Sequence, residues 1–260
     1  MTTVWTIAKV TLGEAIRRKV LLVFLLVAMA LILFSLIFAF FTPREEITMI
    51  ISFGLAVITF AGAAISIFGT ASLIPTEIEK RTIYTLLSKP VDRYQFVLGK
   101  FLGGALTILV NIAAMAGVFY VLVVLKSMHA HPQIFYGVAM IYFQMVLLSA
   151  VAMALSVFTT PIITITGTLF VYIVGNISEY VQSLVHLTEN LLFVQWLLKA
   201  LHAIVPNFAN FNVANSVVHP ESYPMNMDIL KYSGITVGYG ILYVVALLLL
   251  AIFVFQWLEI

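Results

Sequence analysis

The sequence predicts an all-α integral membrane protein with six transmembrane helices. The chain has 260 residues, of which 63% are hydrophobic and only 9% are charged. Since a soluble domain carries about 25% charged residues, this chain lacks the polar groups to cover a water-facing surface. Several apolar stretches also reach the roughly 20 residues that a helix needs to cross the hydrocarbon core. We therefore expect residues 1–260 to form one transmembrane domain.

The first three predicted spans lie in the first half of the chain, and one highly charged segment, residues 76–100, separates the second from the third. Val20–Phe41 contains no charged residue and predicts the first span. Ile47–Thr76 predicts the second span, with Pro75 near its end, and Phe101–Leu125 predicts the third. A charged segment between two spans must lie in water, because burying its charges in lipid would be costly.

The remaining three spans follow from one long uncharged stretch and the C-terminal region. Ser127–Ser178 contains no Lys, Arg, Asp or Glu, and it is too long for one crossing and long enough for two. A break is expected at Pro161, because proline disfavours helix at the residue before it. The fourth span is then Gln133–Phe158, the fifth is Ile162–Ser178, and Tyr232–Leu258 is the sixth.

The distribution of basic residues predicts the orientation, because cytoplasmic loops are enriched in Lys and Arg. The N-terminal region and the charged segment hold nine of the 13 basic residues: Lys9, Arg17, Arg18, Lys19, Lys80, Arg81, Lys89, Arg93 and Lys100. The other side holds Arg44, Lys126, Lys199 and Lys231. We therefore expect a multi-pass protein of the cell (inner) membrane with both termini in the cytoplasm.

Two further segments are expected to be interfacial. In Val4–Lys19, apolar residues recur at helical spacing while the basic residues lie away from them, which predicts an amphipathic helix on the cytoplasmic leaflet. The residues that define this N-terminal helix are Trp5, Leu12 and Ile16 on the apolar stripe, which also includes Ala8 and Ala15, and Arg17 and Arg18 at its end. On the outer side, Glu179–Val205 predicts one or two short helices. The alternative for that segment is a seventh span, which would place Lys199 in lipid at a cost of about 3 kcal/mol.

Several function classes are disfavoured by what the sequence lacks. No charged residue lies well inside a predicted span, so ion-coupled transport is disfavoured. Near Gly99-Lys100 the other positions of a phosphate-binding loop are occupied by Tyr94 and Phe101, so ATP hydrolysis by that route is excluded. The basic residues are dispersed at membrane edges, which argues against nucleic-acid binding. We expect neither enzymatic activity nor a bound cofactor in this chain.

No metal site is expected either. The chain has no cysteine, which excludes thiolate ligands. His129-x-His131 and Met225-x-Met227 lack a matching third ligand and are expected to be ordinary loop residues. Glu45 and Glu46 are expected to form a solvated turn after Pro43.

The charged segment itself predicts a short amphipathic helix. Its apolar face has helical spacing and consists of Ile83, Leu86 and Leu87. Glu77 and Glu79 lie toward the start of this helix, where the helix dipole favours anions, and Pro90 ends it. Such a helix suits either the groove of a cytoplasmic protein or the headgroups of the bilayer, and amphipathicity alone does not separate the two.

The same segment resembles the cytoplasmic loop of type-2 ABC transporter permeases. The resemblance is carried by Glu77-x-Glu79-Lys80-Arg81-Thr82-Ile83-Tyr84-Thr85-Leu86-Leu87-Ser88-Lys89-Pro90-Val91-Asp92-Arg93, by Gly99-Lys100-Phe101 and by Pro206-Asn207-Phe208. The branch that it is most similar to is labelled as involved in multicopper-enzyme maturation and includes the nitrous-oxide reductase accessory permease. Many permeases of the wider family have Gly where this chain has Arg81, so a role for that Gly cannot be carried over.

The resemblance implies that the loop between spans two and three is a coupling helix docked on a separate ATP-binding subunit. The implied contact residues are Glu77, Glu79, Lys80, Arg81, Thr82, Ile83, Leu86, Leu87, Pro90 and Arg93. Glu77 to Thr82 would lead into the contact, the three apolar residues would be its knobs, and Pro90 and Arg93 would fix the turn. The N-terminal helix would lie against the same ATPase.

The implied assembly contains two permease copies, expected to form a homodimer, and two ATPase subunits that bind ATP and Mg. This chain would be the membrane permease of an exporter, in contact with lipids. One alternative is a membrane subunit that transmits force to an accessory protein on the outer side without moving a solute, and another is a membrane scaffold. Gly99-x-x-x-Gly103 and Gly234-x-x-x-Gly238 favour close helix contact, within one subunit or across a dimer.

Overall fold

The computed structural model describes residues 2–40, 46–79, 92–129, 131–177, 205–212 and 229–257. Within these ranges all regular structure is helical. The helices are α1 (Thr2–Ile16), α2 (Lys19–Phe40), α3 (Glu46–Ala71), α4 (Pro75–Glu79), α5 (Arg93–Ser127), α6 (Gln133–Ser156), α7 (Pro161–Asn176) and α8 (Ile229–Trp257), with a 3₁₀ turn at Ala209–Phe211. The predicted all-α fold is confirmed for this part of the chain.

Among the described residues, five helices are long and apolar enough to cross a membrane: α2, α3 together with α4, α5, α6 and α8. This confirms the membrane-embedded character that the composition predicts. The helix α7, which corresponds to the predicted fifth span, is apolar but has only 16 residues. Its length of about 24 Å falls short of the roughly 30 Å hydrocarbon core. Six complete crossings therefore stay a prediction.

The long helices α2, α3, α5 and α6 run in alternating directions, and α8 runs in the same direction as α6, so the bundle has two distinct ends. We call the end where α2 and α5 begin the charged end. Phe96 at the start of α5 stacks on Phe255 near the end of α8, with ring centroids 5.9 Å apart, so α8 finishes at the charged end. At the opposite end, Lys126 near the end of α5 pairs with Glu46 at the start of α3. The first and last long helices thus both meet the charged end.

The second predicted span is interrupted near the charged end. The helix α3 stops at Ala71, three residues form a turn, and α4 begins at Pro75. Proline lacks a backbone N–H and disfavours helical geometry at the preceding residue, here Ile74. The chain direction is nevertheless kept, because the N–H of Thr76 donates to Ser72 O and that of Ile78 to Ile74 O.

The third predicted span begins earlier than the hydropathy boundary at Phe101. The helix α5 starts at Arg93, directly after an extended Asp92 with φ −69° and ψ 146°. No proline lies between Arg93 and Phe101, so the helix continues through these residues. The prediction places them before the third span because several of them are polar or charged. As a result Gly99 and Lys100 lie within a helix that enters the bundle.

The N-terminal helix α1 packs against the first half of α5. A Cβ added at Gly99 would stand 2.7 Å from Cβ of Ile7, and one added at Gly103 would stand 2.5 Å from Cβ of Thr11. Only glycine permits this approach, as in other small-residue helix contacts. The Gly99-x-x-x-Gly103 pair therefore serves packing within one chain. Against Gly234 and Gly238, by contrast, the described residues place no atom within 4 Å of an added Cβ.

The apolar core lies where α3 and α6 cross α5. Leu55 and Ile58 of α3, Phe119 of α5, and Met145 and Leu148 of α6 are completely buried there. A second cluster at the charged end joins the turn after α3 to the ends of α6 and α8 and the start of α5. This cluster supports the charged residues described below.

Candidate docking site at the charged end

The predicted coupling residues divide into a described part and a part outside the described ranges. Glu77 lies in α4 and Arg93 is the first residue of α5. Glu79 is the last residue of α4. The other predicted contact residues lie outside the described residues: Lys80, Arg81, Thr82, Ile83, Leu86, Leu87 and Pro90. We refer to residues 80–91 as the coupling segment. The structure describes the residues on either side of it, and we call α4 its first root and the start of α5 its second root.

The first root is held by Lys100, whose side chain is buried at the junction of three helices. Its Nζ lies 2.6 Å from Oε1 of Glu77 in α4 and 3.8 Å from Oε2 of Glu14 in α1. The ring of Phe96 lies below the same ammonium, 5.7 Å from Nζ to the ring centroid. A charge removed from water is tolerated only when it is paired and hydrogen-bonded. This triad therefore fastens α4 to α5 and draws α1 toward both.

The second root is held by Arg93, which caps the C-terminal end of α8. Its Nη1 donates hydrogen bonds of 3.0 Å to the carbonyl oxygens of Phe255 and Gln256. The last carbonyls of a helix have no partner inside that helix, and a cation there also meets the negative end of the helix dipole. Arg93 was expected to fix the turn of the coupling segment. The structure places its guanidinium on the last long helix.

The N-terminal helix adds a third connection at this end. Nη1 of Arg18, at the junction of α1 and α2, donates to the hydroxyl of Ser72 in the turn after α3. On α1 itself, Ala8, Thr11 and Ala15 face the protein and are buried. Together these contacts place α1, α2 and α3 in one connected unit at the charged end.

The predicted apolar stripe of the N-terminal helix is divided between two surroundings. Ala8 and Ala15 of that stripe are buried against the bundle, whereas Trp5 and Ile16 are more than half exposed. Leu12 is partly exposed and Arg17 is exposed. The exposed pair suits the headgroup region, where amphipathic aromatic rings such as Trp are enriched. The helix thus combines a protein-facing side with an apolar outer side.

The small polar residues inside the spans are packed within the protomer. Ser66 is completely buried and donates to the carbonyl oxygen of Met145, 2.9 Å away. Asn111 donates to Thr107 O within α5, and Thr164 donates to Thr160 O within α7. Thr70 is also buried. Ser66 thus bonds a neighbouring helix, and Asn111 and Thr164 bond the backbone of their own helices.

A buried contact that the sequence did not predict joins α6 to the segment before α8. Gln144 is 1% exposed, and its Nε2 donates to Phe208 O at 3.1 Å. Phe208 is completely buried, and its N–H donates to Gly175 O at the end of α7. The hydroxyl of Tyr239 in α8 accepts from the N–H of Asn207. The irregular segment 205–212 therefore reaches the level of the middle of α6, where its backbone polar groups find partners.

The described residues contain no group of three or more His, Asp or Glu that could hold a metal ion. His129 is engaged in its own loop, where Nδ1 lies 2.8 Å from Ser127 O. Glu46, expected in a solvated turn, begins α3 and pairs with Lys126 at 2.9 Å.

Comparison with known proteins adds no relative: no family model matches the chain, and no curated protein matches it.

Proposed function

We propose that this chain is the membrane permease subunit of an ATP-binding-cassette exporter, driven by a separate ATPase that docks on the coupling segment. In this proposal ATP and Mg bind to the ATPase subunit, and this chain supplies no catalytic residue. It is a six-span protein of the cell (inner) membrane with both termini and the charged end in the cytoplasm. Two copies pair with two ATPase subunits.

The observation that carries the proposal is the attachment of both roots of the coupling segment to separate helices. One root is fixed by the buried contact of Lys100 with Glu77, and the other by the contact of Arg93 with the end of α8. A loop that only lay on headgroups would need no such attachments. A segment that receives force from a motor must pass it to the bundle, and these contacts connect it to α1, α4, α5 and α8.

The expected docking of the N-terminal helix on the same ATPase is supported by its position. The helix α1 is held beside the first root through Gly99 and Gly103, and Glu14 faces Lys100. A partner that covers residues 80–91 would therefore meet the exposed side of α1 as part of the same surface. Contact with a second permease copy is supported by Gly234 and Gly238, because the described residues leave the space beside both open and a second helix could approach closely.

The docking is tested with paired substitutions on the two faces of the predicted coupling helix. The chain is purified together with a candidate ABC ATPase from the same organism, and complex formation and ATP turnover are measured. Leu86→Asp with Leu87→Asp places two charges on the apolar face and should abolish the complex. Thr85→Asp with Ser88→Asp adds the same charge to the opposite face and should leave it intact. Equal behaviour of the two double variants would refute docking through the apolar face.

A second candidate function is force transmission to an outer protein without solute transport. It needs no path for a solute, and the small polar residues Ser66, Thr70, Asn111 and Thr164 are buried inside the protomer. The two functions differ in what lies between two copies. A continuous passage between paired permeases supports export, and a sealed interface with a bound outer protein supports force transmission.

A further inference from the structure

An apolar groove runs along the surface of the bundle at the end opposite the charged end. It lies between the second halves of α2 and α5 and has a volume of about 520 Å³, within the roughly 300–1,000 Å³ of ligand sites. The residues that form its walls and floor include Leu33 and Leu36 from α2 and Gly117, Val121, Leu125 and Lys126 from α5. This site is separate from the docking site and does not depend on the proposed transport function.

The wall of the groove on α5 includes Gly117, which has no side chain. A Cβ added at Gly117 would meet no atom of the described residues within 4 Å, so these residues leave the space beside it unoccupied. The residues that face outward around it are aliphatic, and Val121 and Leu125 are more than half exposed. In a membrane-embedded bundle such a surface faces the hydrocarbon core.

The length of the groove matches one lipid chain. From Gly117 to Lys126 the helix rises nine residues, or about 14 Å. One leaflet of the hydrocarbon core is about 15 Å thick, half of the full core. An acyl chain that lies in the groove with its end at Gly117 would therefore bring its headgroup to the level of Lys126.

The charges at the mouth of the groove match a headgroup that carries both signs. Nζ of Lys126 lies 2.9 Å from Oε2 of Glu46, and both side chains remain about one-third or more exposed. A lysine ammonium has three donors and a carboxylate has two acceptor oxygens, so each partner keeps capacity for a second contact. Lys126 can then meet a phosphate while Glu46 meets an ammonium.

We propose that this groove binds one zwitterionic phospholipid, with an acyl chain between α2 and α5, its phosphate on Lys126 and its ammonium on Glu46. An anionic phospholipid fits less well, because Glu46 would repel a headgroup without an ammonium. A free fatty acid offers no partner for Glu46. A second copy of the chain would have to insert an apolar side chain into the groove and would bring no phosphate or ammonium to Lys126 and Glu46.

The test is lipid retention by the full-length protein in gentle detergent, measured by native mass spectrometry. Equal amounts of phosphatidylethanolamine and phosphatidylglycerol are added. The wild type should retain one phosphatidylethanolamine in preference to phosphatidylglycerol. Gly117→Trp places an indole in the groove, and its Cβ meets no atom of the described residues within 4 Å. It should lower this retention at least about tenfold, a difference of 1.4 kcal/mol. Ile162→Trp, at a position of α7 that is 77% exposed, should retain the lipid as the wild type does.

Two further variants separate the roles of the headgroup partners. Glu46→Gln should shift the preference toward phosphatidylglycerol, because Lys126 then faces an anionic headgroup without an opposing carboxylate. Lys126→Gln should reduce retention of both lipids. The proposal is overturned if the wild type retains both lipids equally or neither, or if Gly117→Trp and Ile162→Trp lose lipid alike. It is also overturned if the wild type forms a dimer that binds no lipid and Gly117→Trp disrupts that dimer.

Discussion

The buried ion pair between Lys100 and Glu77 should be far more important for stability than the exposed pair between Lys126 and Glu46. The Lys100 and Glu77 side chains are 5% and 18% exposed, and Nζ and Oε1 are 2.6 Å apart. Breaking a buried pair typically costs about 3–5 kcal/mol, because the remaining charge is left without a partner. Since Glu77 keeps some access to water and Lys100 also faces Glu14, we expect Lys100→Met to cost about 3 kcal/mol, the lower end of that range.

The second pair offers a matched control within the same chain. The Lys126 and Glu46 side chains are 43% and 32% exposed at a similar separation of 2.9 Å. Exposed pairs contribute about 0–1 kcal/mol, so Lys126→Met should cost no more than about 1 kcal/mol. The double variant Lys100→Met with Glu77→Leu removes both charges of the buried pair and should recover most of the loss, because no buried charge remains opposite an apolar side chain.

The assay is equilibrium unfolding in mixed detergent micelles, followed by tryptophan fluorescence and compared among the four proteins. An equal loss of unfolding free energy in Lys100→Met and Lys126→Met would refute the reasoning. It would mean that water reaches the Lys100–Glu77 pair as easily as the Lys126–Glu46 pair. Failure of Glu77→Leu to rescue Lys100→Met would show that the lysine acts through packing on Phe96 and not through its charge.

The other contacts make three further predictions. Arg93→Ala should expose the last carbonyls of α8 and raise amide exchange in its final turn, while Arg93→Lys should restore part of the protection; unchanged exchange in both would contradict the capping role. Gly103→Leu cannot fit against Thr11 and should make α1 accessible to proteases. Gly13→Leu should not, because a Cβ there meets no atom of the described residues within 4 Å. Equal protease resistance of the two variants would contradict the close packing. Gln144→Leu should lower the unfolding free energy by about 1–3 kcal/mol in the same micelle titration, because it leaves the buried Phe208 carbonyl without its donor. No change would mean that this carbonyl has another partner.

The helical membrane fold could be predicted from the sequence because lipid imposes simple requirements. Each crossing needs a long stretch of residues without charge. Pro161 and Pro75 interrupt helices because of their own ring geometry, so their effect can be predicted from the local sequence. The five long apolar helices follow these patterns. The boundary of α5 was missed because a helix can continue beyond the hydrocarbon core when its polar residues find partners, and hydropathy does not report those partners.

The candidate site was less predictable, because its contacts join residues far apart in the chain. Lys100 looked like one more basic residue at a membrane edge, and its burial depends on Glu77 and Glu14, which reach it from other helices. Similarly, the sequence motif at Gly99 allowed a contact within the chain or across a dimer, and only the position of α1 decides between them. The burial of Phe208 was not predicted, because the residues around it come from other helices: Gln144 donates to its carbonyl, and its ring packs on Tyr172.

The most direct test of the central claim is the side of the membrane on which the coupling segment lies. The chain has no cysteine, so Lys89→Cys and His129→Cys each introduce a single reactive site without background. Both are treated with a membrane-impermeant maleimide in intact cells and again after permeabilisation. We expect Lys89→Cys to react only after permeabilisation and His129→Cys to react in intact cells. Labelling of Lys89→Cys from outside would contradict the account, because no cytoplasmic ATPase could then reach the segment.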